Sequence, residues 1–562
     1  MKQITKLLND IVANKKNRFW LFFCVLLFLS LFMIHSYYPL HPGHDFFFHY
    51  RRLQALMDGL SNSPFLIYLD YNAVDGYGYF TKAFYPDVML IPFAIIGNYI
   101  GIECAYLLML FTYTMLCGIF TYKMVNIIFK NAYAAAIGAI LYTFCFYRLL
   151  DLYNRAAIGE AISFTFVPIV FLGLYHIIKG DYKKWYILAV GFSLMIFTHL
   201  ISTVLMFITV IIFLIIYNRS IQKEPQRIRY LILSGLATLV ITAYYLYPMI
   251  EQMLSNDFYY HSRQIMSKAQ DAAYEMFWII CGMFTGIVHP KQVFIPGIGL
   301  FLTGAIALRL FVYGKSSQLK AIDISVIVGL IYIFACSSFF PWSVFPFNLL
   351  NFIQLPWRLY EFSSFFFAIA GGFYLSLLVK SNWRAFLALA LVVFGTCLML
   401  SSDGQFYSEI RSGRQITQVA EYSNDYHLGG MEYFPNKVPS IEFISERGNK
   451  VITSNPDTEV TGLEKSRGTT SFNLKTNGNK ETVELPLVYY KGYTAILDNE
   501  EITVSESANG LVEISANSSG FVKVYYGGTA IQKISWFISL ISIIGLCIYI
   551  FAYTRKKKIE AR

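Results

Sequence analysis

Long runs of apolar residues, separated by short polar segments, fill most of the chain up to residue 402. Most runs contain roughly 16 to 26 residues, which is enough or nearly enough for a helix to cross about 30 Å of hydrocarbon. Twelve runs are predicted to span a membrane: 19–38, 103–128, 132–148, 160–178, 184–199, 201–217, 230–248, 294–313, 324–340, 359–379, 384–401 and 533–553. Two points stay open, namely whether 184–217 is one bent span or two, and whether the interrupted run 86–99 adds another. The pattern predicts a polytopic α-helical membrane protein with about 12 spans.

The distribution of Lys and Arg predicts the orientation of these spans. Simple alternation places one set of short segments on the same side: 1–18, 123–130, 179–184, 219–229, 309–323, 380–384 and 555–562. This set holds 24 of the 45 basic residues and five acidic residues, about +19, and leaves about −9 for the rest of the chain. Because cytoplasmic loops carry the excess of Lys and Arg, we expect both termini in the cytoplasm. The large first loop 39–85 and the segments 251–293 and 403–530 are then expected outside.

Composition excludes several classes of protein. Hydrophobic residues make up 56% of the chain and charged residues 14%, which excludes a soluble protein. No Gly-rich phosphate loop or Rossmann signature is present to hold a nucleotide, and no basic module interleaved with aromatic residues suggests a nucleic-acid partner. All eight cysteines lie in or beside apolar runs, so neither a disulfide framework nor a thiolate zinc site is indicated. Long apolar spans without an acyl-anchor motif, a basic tail at 555–562 and a polar segment 403–530 without cysteine fit a multi-pass protein of a bacterial plasma membrane.

The polar segment 403–531 has a different pattern from the rest. Apolar and polar residues alternate in short runs such as 481–485 and 521–526, and Asn, Gly and Ser separate the runs. Such alternation is typical of strands joined by turns. We therefore predict three regions: 1–402, a multi-span transmembrane domain; 403–531, a small extracytoplasmic β-sandwich module; and 532–562, a final transmembrane helix with a basic cytoplasmic tail.

The first outer loop begins with a cluster of ionisable residues. In a chain with few charges such groups are informative, because each is costly to desolvate beside a membrane and is usually paired or functional. If 45–57 is helical, Asp45, His49 and Arg52 share one face, where a carboxylate base would lie beside cationic groups. In one alternative, Asp45 caps the helix and Arg52 meets lipid headgroups. In another, His44, Asp45 and His49 bind a divalent metal ion, although no further ligand is evident.

Further candidates lie at the predicted outer ends of later spans or just before the β-rich segment. They are Arg155, Glu160, His199, Arg358, Glu361 and Glu432. An arginine at this level can hold a phosphate group. Each residue alone also fits a structural role, as a partner of a helix dipole, an interfacial anchor, a helix-end histidine or part of a solvated loop. Their shared location on the predicted outer face favours a common site.

Aromatic residues are dense between positions 68 and 85 of the first loop. Their rings can stack on a sugar, and Asp70, Asp75 and Asp87 can bind its hydroxyl groups. An interfacial belt of Tyr and Phe explains the same residues equally well. The composition of the loop leaves both interpretations open.

Four short motifs together resemble a known family. They are the segment from His44 to Arg52, Arg155-Ala-Ala-Ile-Gly-Glu160, Pro356-Trp-Arg358 and Glu432-Tyr-Phe-Pro435. The chain resembles the bacterial membrane proteins labelled 6-pyruvoyl-tetrahydropterin-synthase-related and their YfhO-type relatives, which look like GT-C glycosyltransferases in architecture. This resemblance implies that Asp45 is the catalytic carboxylate, with His49 and Arg52 beside it, and that Arg155, Glu160 and Arg358 recognise the donor. His49 is accordingly a second catalytic candidate, and Arg52 is counted among the residues that bind the donor phosphate. GT-C enzymes often carry two adjacent acids, whereas His44 and Phe46 flank Asp45, so metal dependence is left open.

The leading hypothesis is an inverting glycosyltransferase. It would move a sugar from a polyprenyl-phosphate donor to a cell-surface glycan or polymer on the extracytoplasmic face, with Asp45 as general base. One alternative is a transporter or flippase for lipid-linked glycans, which predicts charged residues along a path through the bilayer. Another is a non-catalytic membrane protein with a carbohydrate-binding ectodomain, in which Asp45 would be dispensable.

Overall fold

The computed structural model describes residues 14–62, 69–262, 268–288, 295–411, 432–466, 468–477 and 480–560. Most of these residues form helices, and strands are concentrated between Ile452 and Tyr526. Tertiary contacts divide the chain into two units. The first unit comprises the described residues within 1–49, 103–238 and 266–416, and the second those within 50–102, 239–265 and 417–562. Each unit is therefore assembled from three separate stretches of sequence.

The described residues contain six helices that are long and apolar enough to cross a membrane: Lys15–Ser36, Ile102–Phe129, Ser317–Ala335, Pro356–Leu378, Asn382–Arg411 and Ala530–Glu560. Two pairs separated by short breaks add up to two further spans: Ala132–Thr143 with Phe146–Asn154, and Gln226–Ile241 with Ala243–Ser255. Shorter apolar helices are Ile91–Ile100, Val167–Ile178, Leu200–Ile216, Met276–Thr285 and Gly299–Phe311. A membrane protein with six to eight candidate spans is thus supported, and the predicted number of about 12 is not confirmed.

Several shorter helices connect these elements. They are Phe46–Asn62, Ala73–Gly76, Thr81–Phe84, Ile158–Ser163, Tyr186–Ile196, Asn218–Gln222, Tyr259–Ser262 and Ile441–Arg447. One bound differs from the sequence prediction, since the apolar run predicted to end near 401 continues as a helix to Arg411. The segment 251–293 contains the helix Met276–Thr285.

The apolar run 132–148 is interrupted by a bend, and the run 160–178 is divided between helices Ile158–Ser163 and Val167–Ile178. Helix Ala132–Thr143 is followed at an angle of 41° by residues 146–154, which end in a π-helical turn. The interruption leaves the Thr143 carbonyl at a helix end, where the Arg148 Nη1 donates a hydrogen bond to it at 2.9 Å. Backbone groups freed inside an apolar region require such a partner. The bend is therefore stabilised by a side chain that follows it directly.

Helix Tyr360–Leu378 forms the centre of the first unit, and fifteen of its residues are buried. It packs against helix Ala132–Thr143, where small residues face each other. A Cβ atom at Gly372 would lie 2.5 Å from the Ala134 carbonyl oxygen, so only glycine allows this approach. Small residues promote such close packing between apolar helices. The contact fixes the start of Tyr360–Leu378 near the bend that follows Thr143.

The second unit joins a β-rich region to the last helix. Helix Ala243–Ser255 packs against Ala530–Glu560, and the backbone N–H of Tyr244 donates to Ser539 Oγ at 2.8 Å. Lys491 Nζ lies 3.2 Å from Glu251 Oε1. These contacts connect the closing helix with the strands that precede it.

All the sheets are antiparallel. In the first unit, β1 (Ile287–Val288) pairs with β2 (Ile295–Pro296). The second unit contains β3 Ile452–Thr453, β4 Glu459–Ser466, β5 Thr469–Lys475, β6 Glu481–Val488, β7 Tyr493–Leu497, β8 Glu500–Ile502, β9 Val504–Glu506, β10 Leu511–Ala516 and β11 Gly520–Tyr526. One sheet has the order β3-β6-β10-β9, and the other has the order β4-β5-β11-β7-β8.

Alternation of apolar residues explains how these two sheets fold. Side chains from both contribute to one buried cluster, which includes Phe472, Leu474, Val483, Leu485, Val512, Ile514, Val522 and Val524. Alternate residues of a strand point to the same face, so a period of two places one apolar row inside. A β-rich region with two antiparallel sheets is thereby confirmed, and its description as a sandwich stays a prediction.

The aromatic residues of the first loop lie mainly inside the second unit. Tyr77, Tyr79 and Phe80 are 0% exposed. The Phe80 ring stacks on Tyr490 at a centroid distance of 5.1 Å, and the Tyr79 ring meets Phe434 edge-on at the same distance. These rings fill the interior and present no face to a sugar. Tyr68, the first aromatic residue of the predicted sugar-binding loop, lies outside the described residues.

Candidate functional site

Glu160 is the centre of a buried cluster of charged side chains in the first unit. Its side chain is 1% exposed, and Oε1 accepts a hydrogen bond from the Tyr147 hydroxyl. Oε2 accepts hydrogen bonds from Arg155 Nη1 at 3.1 Å and from Arg358 Nε at 3.2 Å. Arg155 Nη1 also donates to Asp151 Oδ1 at 2.6 Å. Three of the four predicted donor-binding residues, Arg155, Glu160 and Arg358, therefore lie in direct contact.

The local backbone explains how four members of this cluster meet. Tyr147, Asp151 and Arg155 follow one another at intervals of four through a short helix and a π-helical turn, so they lie along one side. Ala156 then adopts a φ of +54°, in the left-handed region, and the chain changes direction. Glu160 follows in the next helix and returns to Tyr147 and Arg155. Proximity in sequence thus accounts for this part of the cluster.

Arg358 comes from a distant part of the sequence. It lies in the 3₁₀ turn Pro356–Leu359, immediately before helix Tyr360–Leu378. Its Nη1 donates to the Ile353 carbonyl at 2.6 Å and to Gln354 Oε1 at 3.3 Å. Together with the bond from Nε to Glu160, these contacts fix the plane of the guanidinium group. A guanidinium fixed in this way loses little conformational entropy when it binds a ligand.

Backbone contacts attach the start of the first loop to the turn formed by residues 153–155. The N–H of Asp45 donates to the Arg155 carbonyl at 2.7 Å. Gly43 lies so close to the turn that an added Cβ atom would be 2.4 Å from the Tyr153 carbonyl oxygen. The main chain thus holds Asp45 beside Arg155.

Replacement of Gly43 by alanine should lower the free energy of unfolding by about 1–3 kcal/mol, since overpacking against backbone forces the chain to shift. The measurement is thermal or chemical unfolding of the purified protein in detergent. Gly304→Ala is the matched control, because a Cβ atom at that position meets nothing within 4 Å. Equal stability of the two variants would contradict the close approach at Gly43.

The end of helix Asn382–Arg411 supports this arrangement from another side. Arg411 Nη2 and Nε donate to Asn154 Oδ1 at 2.6 and 3.1 Å. The Tyr407 hydroxyl hydrogen bonds with the backbone of His41, just ahead of Gly43. The helix therefore braces both the turn and the loop that carries Asp45.

The carboxylate of Asp45 is accessible, unlike the other acids of the cluster. The side chain is exposed, and neither carboxylate oxygen accepts a hydrogen bond from another residue in the described ranges. Although its surface is accessible, desolvation by the surrounding protein raises the pKa of Asp45. The positive charges of Arg155 and Arg358 lower this pKa, and the negative charge of Glu160 raises it. The carboxylate of Asp45 is thus accessible to a ligand, and its raised pKa makes it a stronger base than an ordinary aspartate.

Both arginines keep nitrogen atoms that can bind a ligand. Within the described ranges, Arg155 hydrogen bonds only through Nη1, and Arg358 through Nε and Nη1. Neither Nη2 atom makes a hydrogen bond to any part of the chain that the structure describes. Guanidinium N–H groups bind phosphate oxygens strongly. An anionic group near Asp45 would therefore meet two positive charges of fixed orientation.

A second hydrogen-bonded chain leads away from Glu160. Glu361 is 0% exposed, and its two carboxylate oxygens accept hydrogen bonds from Ser163 Oγ at 2.6 Å and Ser202 Oγ at 2.7 Å. Ser202 Oγ lies 2.9 Å from His199 Nδ1, and Ser163 Oγ lies 2.6 Å from the Glu160 carbonyl oxygen. The structure thus links the predicted residues His199 and Glu361 to Glu160 through two serines.

Four contributing residues were not predicted as site residues: Tyr147, Asp151, Ser163 and Ser202. The spacing of four residues from Tyr147 through Asp151 to Arg155 is a signal that identifies the first two. The serines carry no such signal, because a single hydroxyl in an apolar helix also satisfies a backbone carbonyl of its own helix.

Two predicted residues of the first loop lie close to Asp45 in sequence. His44 is exposed. His49 is 5% exposed, and its N–H donates to the Asp45 carbonyl at 3.2 Å in the first turn of helix Phe46–Asn62. His49 is therefore adjacent to Asp45 through the backbone.

Arg52 and Glu432 have different surroundings from the cluster at Glu160. Arg52 belongs to the second unit, where Nη2 pairs with Asp87 Oδ1 at 2.7 Å and both side chains are buried. Glu432 is also in the second unit, and its carbonyl accepts a hydrogen bond from the N–H of Tyr260 at 3.0 Å. Helical spacing suggested Arg52 as a partner of Asp45, and it gave no indication of the ion pair between Arg52 and Asp87.

A metal site was the alternative proposed for His44, Asp45 and His49. Within the described ranges, no three His, Cys, Asp or Glu side chains are grouped closely enough to hold a metal ion. A zinc ion normally takes three or four such ligands, whereas Mg²⁺ can be held by one or two carboxylates together with substrate phosphates. His44, Asp45 and His49 are thus not grouped as a three-ligand metal site.

Comparison with known proteins gives one relative and no family. No protein-family model matches the chain. The chain is 22% identical to an uncharacterized protein of Lactococcus lactis subsp. cremoris (strain MG1363), and the match covers 97% of each chain. The similarity therefore extends over nearly the whole length, including the helices that carry the candidate site and the β-rich region.

Proposed function

We propose that this protein is a membrane glycosyltransferase of the GT-C type. It would transfer a sugar from a polyprenyl-phosphate donor to a cell-surface glycan or polymer, with Asp45 as general base. One observation carries the proposal: the accessible Asp45 carboxylate lies in the same cluster as Arg155 and Arg358, and each arginine keeps an Nη2 atom for a ligand. A base beside an anion site is the arrangement that such a transfer requires.

The chemical step follows from these groups. Asp45 accepts the proton of an acceptor hydroxyl as its oxygen forms a bond to the anomeric carbon of the sugar. The bond from that carbon to the phosphate oxygen breaks, and its electron pair stays on the leaving polyprenyl phosphate. Arg155 and Arg358 neutralise the charge that develops there. A single displacement of this kind inverts the anomeric configuration.

Glu160 and His49 take supporting roles in this proposal. Both carboxylate oxygens of Glu160 already accept hydrogen bonds, from Tyr147 and from the two arginines, so Glu160 orients the arginines. His49 follows Asp45 by one helical turn and is the second catalytic candidate. Ser163, Ser202, Glu361 and His199 would hold the elements around Glu160 together.

The arrangement in the membrane is part of the same proposal. With about 12 spans and both termini in the cytoplasm, the loop that carries Asp45 lies on the extracytoplasmic side of a bacterial plasma membrane. The excess of Lys and Arg in the opposite segments supports this orientation. The two antiparallel sheets would then form an extracytoplasmic sandwich. Polyprenyl-phosphate sugars present their phosphate at the level of the lipid headgroups, where Asp45 would lie.

A reconstituted transfer assay tests the proposed function. Purified wild-type protein in proteoliposomes would receive a polyprenyl-phosphate hexose with a radiolabelled sugar and a cell-surface glycan fraction. We expect labelled glycan to form, and we expect Arg358→Lys to reduce its formation, because lysine keeps the charge and loses the bond to Glu160. Movement of the intact glycolipid between leaflets, with no transfer, would overturn the proposal in favour of a transporter.

The pH profile of transfer gives a further prediction. A general base acts only when ionised, and desolvation by the surrounding protein raises the pKa of Asp45. The rate should therefore fall with decreasing pH at a value above the ordinary aspartate pKa of about 3.9. The same shift favours the protonated carboxyl in the folded protein, so the contribution of Asp45 to stability decreases as the pH rises through this range. The check is the pH dependence of kcat/KM, and an acidic limb at or below the ordinary value would contradict the prediction.

A further inference from the structure

A cavity lies beside the N-terminal end of helix Lys15–Ser36. It has a volume of about 420 Å³ and is lined by the ends of five helices of the first unit. Arg18, which lines the cavity, is in the first turn of helix Lys15–Ser36, whereas Asp45 follows the C-terminal end of that helix. The helix has 22 residues and is roughly 33 Å long. The cavity is therefore separate from the candidate active site.

Three cationic side chains line this cavity without an acidic partner. Arg18, Lys130 and Lys380 are among the lining residues, and no Asp or Glu is. None of the three forms an ion pair within the described part of the chain. The Nε atom of Arg18 is buried and has no hydrogen-bond partner there. Buried donors normally find an acceptor, so this site points to an anionic ligand.

Lys130 departs from the usual residue type at its position. It follows the C-terminus of helix Ile102–Phe129 and has a φ of +55°. Glycine is favoured at such a left-handed helix end because it has no Cβ atom. A residue that breaks a local rule of this kind is often retained for function. In Lys130 the side chain supplies one of the three positive charges of the cavity.

The cavity also has an apolar wall and two favourable helix ends. Leu21, Val25, Phe386 and Leu389 line it one to two turns further along their helices. Helices Ala132–Thr143 and Asn382–Arg411 both begin at the cavity, and the positive end of a helix dipole attracts an anion. Negative charge is therefore favoured at one end of the cavity and hydrocarbon along its wall.

We propose that this cavity binds the phosphate headgroup of an anionic phospholipid. One acyl chain would lie along the apolar wall, and the phosphate would pair with Arg18, Lys130 and Lys380. Clusters of basic residues at the ends of membrane helices recognise anionic headgroups in this way. A free phosphate ion would satisfy the same cations and leave the apolar wall uncovered, so the lipid is the better fit. The bound lipid would contact the ends of five helices. Its binding does not depend on the proposed transferase activity.

The test compares two lipids with identical acyl chains. Wild-type protein in a neutral detergent would be mixed with phosphatidylglycerol or with phosphatidylcholine, and the lipid it retains would be counted by native mass spectrometry. We expect preferential retention of phosphatidylglycerol. The double variant Lys130→Gly/Lys380→Gln should lose about 25-fold of this preference, since each cation contributes roughly fivefold. Glycine fits the backbone at position 130, so this variant should remain folded.

Two controls make the test decisive. The double variant Lys123→Gln/Lys315→Gln removes the same charge from exposed positions outside the cavity and should keep the preference. Inorganic phosphate is added alone in a third arm and should not protect the protein from thermal unfolding as the lipid does. Equal retention of the two lipids, equal loss in both double variants, or full protection by inorganic phosphate would each overturn the lipid assignment.

Discussion

Replacement of Asp45 by asparagine is expected to reduce the rate of sugar transfer by about 10²–10⁴-fold, the usual contribution of a general base. Asparagine has nearly the same shape as aspartate and cannot accept the proton of an acceptor hydroxyl. The backbone hydrogen bond from position 45 to the Arg155 carbonyl does not involve the side chain, so the variant should keep its place in the fold. The measurement is the initial rate of transfer in proteoliposomes.

The control for this variant is Asp271→Asn, which removes an exposed carboxylate from the segment before helix Met276–Thr285. This change should leave the transfer rate within about twofold of wild type, because surface substitutions away from special contacts have small effects. Thermal unfolding of Asp45→Asn should match wild type closely. Undiminished transfer by the folded Asp45→Asn variant would refute the assignment of Asp45 as the base.

Replacement of Glu160 by glutamine is expected to lower the free energy of unfolding by about 3–5 kcal/mol, because it removes one partner from a buried ionic cluster. Two arginines lose the carboxylate oxygen that they share, and their charges remain in a buried site. The orientation of both guanidinium groups should also be lost, so the transfer rate should fall as well. Unfolding in detergent, followed by intrinsic fluorescence, measures the first effect.

A double-mutant cycle separates the ionic contribution from other causes. Glu160→Gln combined with Arg358→Gln removes a negative and a positive charge together, and the double variant should be less destabilised than the sum of the single variants. Glu464→Gln, an exposed position in β4, serves as the control for loss of a carboxylate and should be nearly neutral. Strict additivity in the cycle would show that Glu160 and Arg358 do not interact as described.

Much of the candidate cluster was predictable because ionisable residues next to apolar runs are rare. Arg155, Glu160 and Arg358 were selected on this ground, and they lie in contact. Arg52 was selected by its spacing from Asp45, but helical spacing concerns only neighbours on one helix. Its ion pair is with Asp87, which lies in a different segment of the chain. Pairing between distant segments depends on tertiary structure, which a single sequence does not specify.

The fold was predictable to a similar degree. Hydropathy identified the apolar runs, and alternation identified the β-rich region, because both are local patterns. Hydropathy did not identify the break at Thr143, since the residues there are as apolar as their neighbours. This break is stabilised by the hydrogen bond from Arg148 to the Thr143 carbonyl. Counting apolar runs therefore gave more spans than the described helices support by length.

The main-chain connection between residue 45 and the turn at 153–155 affects how this site can change during evolution. Backbone N–H and C=O groups are the same in every residue type except proline, which lacks the N–H group. The hydrogen bonds from the N–H groups of His44 and Asp45 to the Asn154 and Arg155 carbonyls therefore do not depend on the side chains at positions 44 and 45. A proline at 45 would disconnect the two segments even though it leaves every charged residue of the turn in place.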